Sequence, residues 1–390
     1  MVVVQATSRQ IRAAMKTVVF VLKVLPMLPS KPLNLITPTP VVKRLEYPTR
    51  TGRAEGDVYR PASHGPHPGI VVCLGVVPFG VEHPQVPRLG EALARAGFVA
   101  LLYWSPAMRD FRLDPEDIEG IALAYDRLVE QPYVDASRSG LMGTCVGGSF
   151  ALMAAAHALI RDRVAFVAAF APFGSLLSLA RDIASESCLR SDEREPWPVD
   201  PLTRKVFVHS VTARLDPSEA QTLRDAFDAK RVAASSDGLS ASGLAIEALL
   251  AAADEGQAEL ALQRLPQEIK DGLADLSPVS YLKDLRAPLI AISHDVDDSV
   301  IPVGESRLLK SALTGRAGVH YTEFAMFQHA DPTKRKLPPM KLLWQLSKFY
   351  LWLHAVFRQA QRTEQGGGIW SLKSRTGLAW RRRQASEEDS

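Results

Sequence analysis

Gly143-Thr144-Cys145-Val146-Gly147-Gly148 follows a short apolar run, Ser139-Gly140-Leu141-Met142, and opens an Ala-rich helical run over residues 150–159. A strand that turns at once into a helix, with a nucleophilic side chain at the apex and glycine two residues to either side, is a nucleophile elbow. The turn is tight and holds its apex residue at a strained backbone angle, and strand and helix approach too closely for a Cβ. The apex residue is a cysteine where serine is usual. The stretch therefore points to acyl transfer through a thiolate.

The rest of the chain supplies a scaffold of the right kind. Residues 41–47 and 53–59 read as a strand pair, and residues 69–74 form the continuous apolar run of a central buried strand. A helix is expected over 86–96, a strand over 98–103 and an amphipathic helix over 115–130. After the elbow comes a strand over 164–171. The rhythm then breaks: residues 173–277 are mostly helical and polar, with no strong strand, helices being expected over 218–230 and 243–262. It returns with a strand over 288–293, a helix over 303–313, a strand over 319–324 and a long apolar helix over 339–360. Alternation of this kind implies an α/β fold, a mainly parallel sheet with helices on both faces. An insertion of about 100 residues is too long for a simple loop. It is expected to fold as a helical cap, inserted before the last two strands, over the carboxyl ends of the strands, where open α/β sheets bind ligands. The expected organisation is an N-terminal apolar segment and Pro-rich linker (1–40), a core (41–172 and 278–360), the cap (173–277) and a disordered tail (361–390).

An activated cysteine needs a base, and the base needs an orienting group. His294-Asp295-Val296-Asp297-Asp298-Ser299-Val300-Ile301-Pro302 follows the strand at 288–293 and puts carboxylates in a loop at the sheet edge. Phe324-Ala325-Met326-Phe327-Gln328-His329 puts a histidine in the loop after the last strand. Nucleophile, acid, histidine is a known chain order. With these residues in place, the chain resembles the α/β-hydrolases, and within them it is similar to the dienelactone hydrolase branch. The G-x-C-x-G-G elbow is that branch's form of the motif. Residues 294–302 resemble the H-G-x-x-D-x-x-V-P signature, with Asp295 in place of its glycine and Ile301 in place of its valine. The resemblance spans residues 41–360 apart from the insertion. It implies that Cys145 is the nucleophile, Asp298 the acid and His329 the base. Oxyanion donors are expected from the backbone N–H of Val146 and from the turn after the 69–74 strand, at Val76 or Val77. The chain departs from the branch in that turn: Leu74-Gly75-Val76-Val77-Pro78-Phe79-Gly80 lacks the glutamate that contacts the resting cysteine in dienelactone hydrolases. The cap is a second departure, and both weaken the case for a dienelactone substrate.

Other readings of these residues are weaker. Asp297 is the alternative acid. Asp295, Asp297 and Asp298 lack the spacing and closing glutamate of a calcium loop. No Lys-Ser or Lys-Thr follows the elbow, so it is not a nucleotide loop. His294 reads as a loop-structuring residue, His157 and His354 as helix residues, and Asp331 as a turn cap. No metal and no organic cofactor is implied.

Composition narrows the remaining classes. The chain has 390 residues, a net charge of +3 and 46% hydrophobic residues, enough for one large domain or one domain with an insertion. Its balanced charge and lack of basic-aromatic runs speak against nucleic acid as partner. Cys73, Cys145 and Cys188 are widely spaced and odd in number, which fits no disulfide framework and suits a reducing cytosol. Cys73 and Cys188 read as inert core. The apolar run at 17–29 is interrupted by Lys23 and Pro26 and is too short for a span, which needs roughly 20 apolar residues. This run and the 340–357 helix, with Lys341, Lys348 and Arg358 at the rim of the latter, raise a second expectation: peripheral contact with a membrane surface. The sequence specifies no oligomeric state. The expectation is thus a cytoplasmic hydrolase for a small-molecule ester, lactone or thioester, the alternative being a non-catalytic binding protein on the same fold.

Overall fold

The structure, a computed structural model, describes residues 2–25 (2–7 by their backbone), 28, 34, 37–50, 52–76, 83–190, 193–228, 238–329 and 337–362. The expectations for Val77, Asp331, much of the 29–40 linker and the tail beyond residue 362 lie outside these residues.

The chain opens with α1 (Val2–Val24). Then come β1 (Val41–Thr49), β2 (Gly52–Arg60), β3 (His67–Cys73), α2 (Gln85–Arg95), β4 (Val99–Tyr103), α3 (Pro106–Arg109) and α4 (Glu116–Val129). The elbow joins β5 (Val134–Thr144) to α5 (Val146–Ala155), and β6 (Phe166–Phe170) follows. The described residues form an eight-stranded sheet in the order β1-β2-β4-β3-β5-β6-β9-β10, where β9 is Leu289–Asp295 and β10 is Val319–Phe324. β1, β2 and β4 pair antiparallel, and from β4 to β10 every pairing is parallel. The central strands are buried on both faces, which is why Ile70-Val71-Val72 and Phe166-Val167-Ala168 are unbroken apolar runs. One face packs on α4 and α5 through Tyr125, Leu128, Phe150 and Met153. The other packs on α1, α2 and α13 (Pro339–Gln359) through Phe20, Leu93, Trp352 and Phe357. Phe98 lies edge-on to both Phe166 and Phe357, with ring centroids 6.2 and 5.1 Å away.

Between β6 and β9 the chain forms α6 (Leu176–Ser185), α7 (Pro201–Val211), α8 (Pro217–Phe227), α9 (Ala241–Leu250), α10 (Glu255–Arg264) and α11 (Gln267–Asp275). Ser175, Asp200, Asp216, Ser240 and Asp254 each accept a backbone N–H from the first turn that follows them. Asp254 is the reason the expected 243–262 helix is two helices: its side chain starts a new one. The insertion also contains a small antiparallel hairpin, β7 (Ser187–Arg190) with β8 (Glu193–Pro196). Charges conceal it in the sequence, and one of them, Arg194, pairs with buried Asp182 at 2.8 Å.

The two ends of the insertion are tied together. Ser277 Oγ accepts the Leu176 N–H at 2.8 Å, and the Val279 N–H donates to Gly174 O at 3.1 Å. Glu305, on α12 (Val303–Ala312), fixes this junction to the core. Its carboxylate accepts the N–H groups of Gly174 and Ser175, both at 2.9 Å, and the hydroxyl of Ser178 at 2.6 Å. Burial pushes the Glu305 carboxyl up to about 7, against the opposing pull of these three donors. The folded protein therefore holds this proton more tightly than the unfolded chain, whose carboxyl titrates near the ordinary 4.5. The group's contribution to stability is greatest below that value and falls as pH rises through about 7, by about 3 kcal/mol. Glu305→Gln retains an oxygen for the two N–H groups, and Ser178, which also contacts Ser175 O, can turn its hydroxyl to accept from the new amide. The variant is expected to lose this part of the pH dependence. Urea midpoints between pH 5 and 8 check it, and parallel profiles for the two proteins would sink the assignment.

Candidate active site

The elbow is built as its glycines require. Cys145 sits at φ 57°, ψ −136°, in a region L-residues seldom occupy, and α5 begins with the next residue, not at 150 as the sequence suggested. It ends at Ala155, which leaves His157 in a turn. A Cβ on Gly143 would fall 2.2 Å from Gly147 O, and one on Gly147 would fall 2.2 Å from Cys73 O. No side chain fits at either place. The Cys145 N–H donates to Phe170 O at 2.8 Å, which ties the apex to the neighbouring strand. Cys145 is partly exposed, whereas Cys73 and Cys188 are buried.

The turn after β3 lies directly against the elbow. A Cβ on Gly75, at φ 75°, would sit 3.0 Å from Gly147 N, Thr144 O and Val146 Cγ2. Thr144 donates its hydroxyl to Leu74 O at 3.2 Å, which fixes this turn to the apex strand, a role not apparent from the sequence. Val146 is the first residue of α5, so its N–H has no partner within the helix. Val76 is half-buried beside it on the facing turn.

Asp298 and His329 meet in the same region. His329 Nδ1 lies 2.9 Å from Asp298 Oδ2 and 3.1 Å from Oδ1, and the imidazole also makes a hydrogen bond with the Cys145 side chain. His329 is held at φ 81°, a strained left-handed angle for a residue with a Cβ. Asp298 is 2% exposed, and its Oδ1 accepts the N–H groups of Val300 and Ile301 at 2.8 and 3.0 Å. Burial works to raise its pKa, but His329, His294 and these donors outweigh it and hold the carboxyl below its ordinary value. Burial likewise works to lower the pKa of His329. Its interactions with Cys145 and Asp298 overcome it and raise the imidazole well above 6.5.

The neighbouring acids do other things. β9 extends through His294 and Asp295, so both are strand-end residues, buried, and not part of the loop. His294 donates Nε2–H to Ile301 O at 2.9 Å, contacts Ser306 through Nδ1, and is kept below its ordinary pKa by burial. Asp295 stands where the signature has glycine. Its Oδ2 accepts the N–H groups of Met326 and Phe327 at 2.7 and 2.5 Å, and its Oδ1 accepts that of Asp297 at 3.0 Å. It thereby clamps the loop that carries His329 to the loop that carries Asp298. Asp297 pairs with Arg190 of the β7–β8 hairpin at 3.8 Å. Among the described residues no group of three or more His, Cys, Asp or Glu side chains is arranged to hold a metal.

The insertion rests on the acid loop. The Trp197 indole N–H donates to Ser299 O at 3.0 Å, and the Thr203 hydroxyl donates to Val300 O at 2.9 Å. These carbonyls belong to the two residues after Asp298, and Trp197 is itself buried. Helices from the insertion thus lie beside the candidate site, as open α/β sheets place their ligand-binding elements.

No family model matches the sequence, and no curated protein does. Solved structures do. One is Pyrococcus horikoshii acylaminoacyl peptidase, at 14% identity and a TM-score of 0.52, over 86% of this chain and 45% of that one. Another is the 2,6-dihydroxy-pseudo-oxynicotine hydrolase, at 16% identity and a TM-score of 0.50, over 85% of this chain and 73% of that one. The chain thus spans less than half the length of the peptidase. At these identities the likeness is one of architecture, and it agrees with the mostly parallel eight-stranded sheet flanked by helices. The chain has the α/β-hydrolase fold.

Proposed function

We propose that the protein is a hydrolase that cleaves a carboxylic ester, lactone or thioester through a covalent Cys145 acyl-enzyme. The observation that carries this reading is His329, bonded to Asp298 at 2.9 Å on one side and to Cys145 on the other. Cys145 Sγ attacks the carbonyl carbon as a thiolate, its proton already held on His329. The oxyanion forms between the N–H groups of Val146 and Val76. The intermediate collapses, the leaving group takes the proton from His329, and the acyl group stays on sulfur as a thioester. Water then gives a proton to His329 and attacks that thioester, which releases the acid and restores the thiolate beside the protonated imidazole. Asp298 keeps Nδ1 protonated, so that Nε2 is the nitrogen available to exchange the proton. The tie of the β3 turn to the elbow supports an oxyanion site that is preorganised, since one such donor is typically worth about 3 kcal/mol of barrier.

The test is a panel of short p-nitrophenyl esters and thioesters, with an N-acyl-amino-acid anilide included because one resembled structure is an acylaminoacyl peptidase. The expected result is a burst of leaving group and, by intact mass and peptide mapping, an acyl increment on Cys145. Folded protein with a titratable thiol that gives neither turnover nor adduct would transfer the site to the non-catalytic binding reading.

A further inference from the structure

α1 and α13 pack on one another, with the rings of Phe20 and Phe357 5.7 Å apart, and each turns an apolar stripe to solvent. α1 buries Ala13, Thr17 and Phe20, while Ile11, Met15 and Val18 point outward at i, i+4 and i+7. α13 buries Phe349, Trp352 and Phe357, but its first turns expose Met340 (77%) and Trp344 (63%). Single exposed apolar residues are ordinary, whereas runs at helical spacing on two packed helices mark an interaction surface.

The charges identify the occupant. Neither helix contains an Asp or a Glu. Of their cations, Lys23 is buried and Lys348, which the sequence placed at the rim, turns inward to Glu323 O at 3.0 Å. Arg9 and Lys16 are half-buried, and Arg12, Lys341 and Arg358 remain exposed. A second copy of the chain would meet this face with the same cations, so an isologous contact brings like charges together. An anionic lipid surface answers both features, taking the apolar side chains at the acyl boundary and the cations on its phosphates. Tryptophan is enriched at that depth. Among the described residues no helix is long and apolar enough to cross a membrane, which leaves a helix pair lying on one.

We infer that α1 and α13 seat this protein on the surface of an anionic bilayer. The inference does not depend on the chemistry of Cys145. The test is flotation of the full chain with vesicles of phosphatidylcholine alone or with phosphatidylglycerol added, in 0.1 M NaCl. The protein is expected to float with the anionic vesicles and to bind at least tenfold more weakly to the neutral ones, or in 0.5 M NaCl. Met340→Ser with Trp344→Ser is expected to weaken binding at least tenfold and leave the thermal midpoint within a few degrees of the parent. Arg12→Gln with Lys341→Gln is expected to remove the preference for anionic lipid. Failure to float with either composition, or flotation that both double variants leave intact, overturns the inference. So does a concentration-dependent dimer in sedimentation velocity that Trp344→Ser dissociates, since the surface would then belong to a second copy.

Discussion

Cys145→Ala is expected to reduce turnover of any ester the protein cleaves by about 10⁶-fold, the loss typical of removing a nucleophile that acts as a unit with its base. The argument is geometric. His329 contacts Cys145, and the strained apex backbone points one side chain into the site. Alanine retains the Cβ and leaves the Cys145 N–H free to bond Phe170 O, so the fold should be unaffected. Steady-state rates beside circular dichroism check both halves. A variant that keeps turnover within tenfold of the parent, free of contaminating activity, would show that the sulfur is not the nucleophile.

Asp298→Asn is expected to cost about 10⁴-fold in kcat, as for other triads whose acid is made neutral. The Asp298 Oδ1 is bound by the Val300 and Ile301 N–H groups, so the variant's oxygen stays there and its NH₂ faces His329 Nδ1. Two donors cannot share that contact. The imidazole is forced to carry its proton on Nε2 and can no longer take one from the thiol. A second readout separates this from simple damage. In the parent, His329 is held well above 6.5, so the alkylation of Cys145 should show no inflection near 6.5. Without Asp298 the His329 pKa falls, and an inflection should enter the profile at lower pH. The same shifts also contribute to the pH dependence of stability. The raised imidazole contributes fully below 6.5, and that contribution is lost as pH rises through its folded value. Asp298 contributes fully above 3.8, and its contribution is lost as pH falls through its depressed folded value. A kcat loss under tenfold would remove Asp298 from its orienting role.

Much of this architecture is written locally. The elbow is legible because its requirement is steric: contacts of 2.2 Å from a hypothetical Cβ leave glycine alone at 143 and 147. The buried strands are legible because both faces are covered, and the sequence is apolar without alternation. What sequence reasoning missed depends on partners far away along the chain. Asp295 looks like one more acid in an acidic loop until Met326 and Phe327 arrive to be bound. Nothing in Val303-Gly304-Glu305-Ser306 announces a carboxylate that seats the insertion. Trp197 and Thr203 read as polar-segment residues, yet both bond the loop that carries Asp298. The β7–β8 hairpin was hidden for another reason: its strands are only 4 residues each, and they carry charges in place of the apolar alternation of a half-buried sheet.

The placement of the insertion also bears on the order in which the protein is made. β5, the elbow and β6 leave the ribosome before α6 to α11, whereas Asp298 and His329 follow them. At about 5–20 residues per second, about 10–40 seconds separate the synthesis of Cys145 from that of His329. Throughout that interval the nascent chain carries a cysteine with neither imidazole nor carboxylate beside it. β9 and β10 complete the sheet only afterwards, and they bring both partners in the same event. A ribosome-bound fragment ending before β9 should therefore contain an unactivated thiol. On the proposed chemistry, the reactive thiol arises only when the parallel sheet closes.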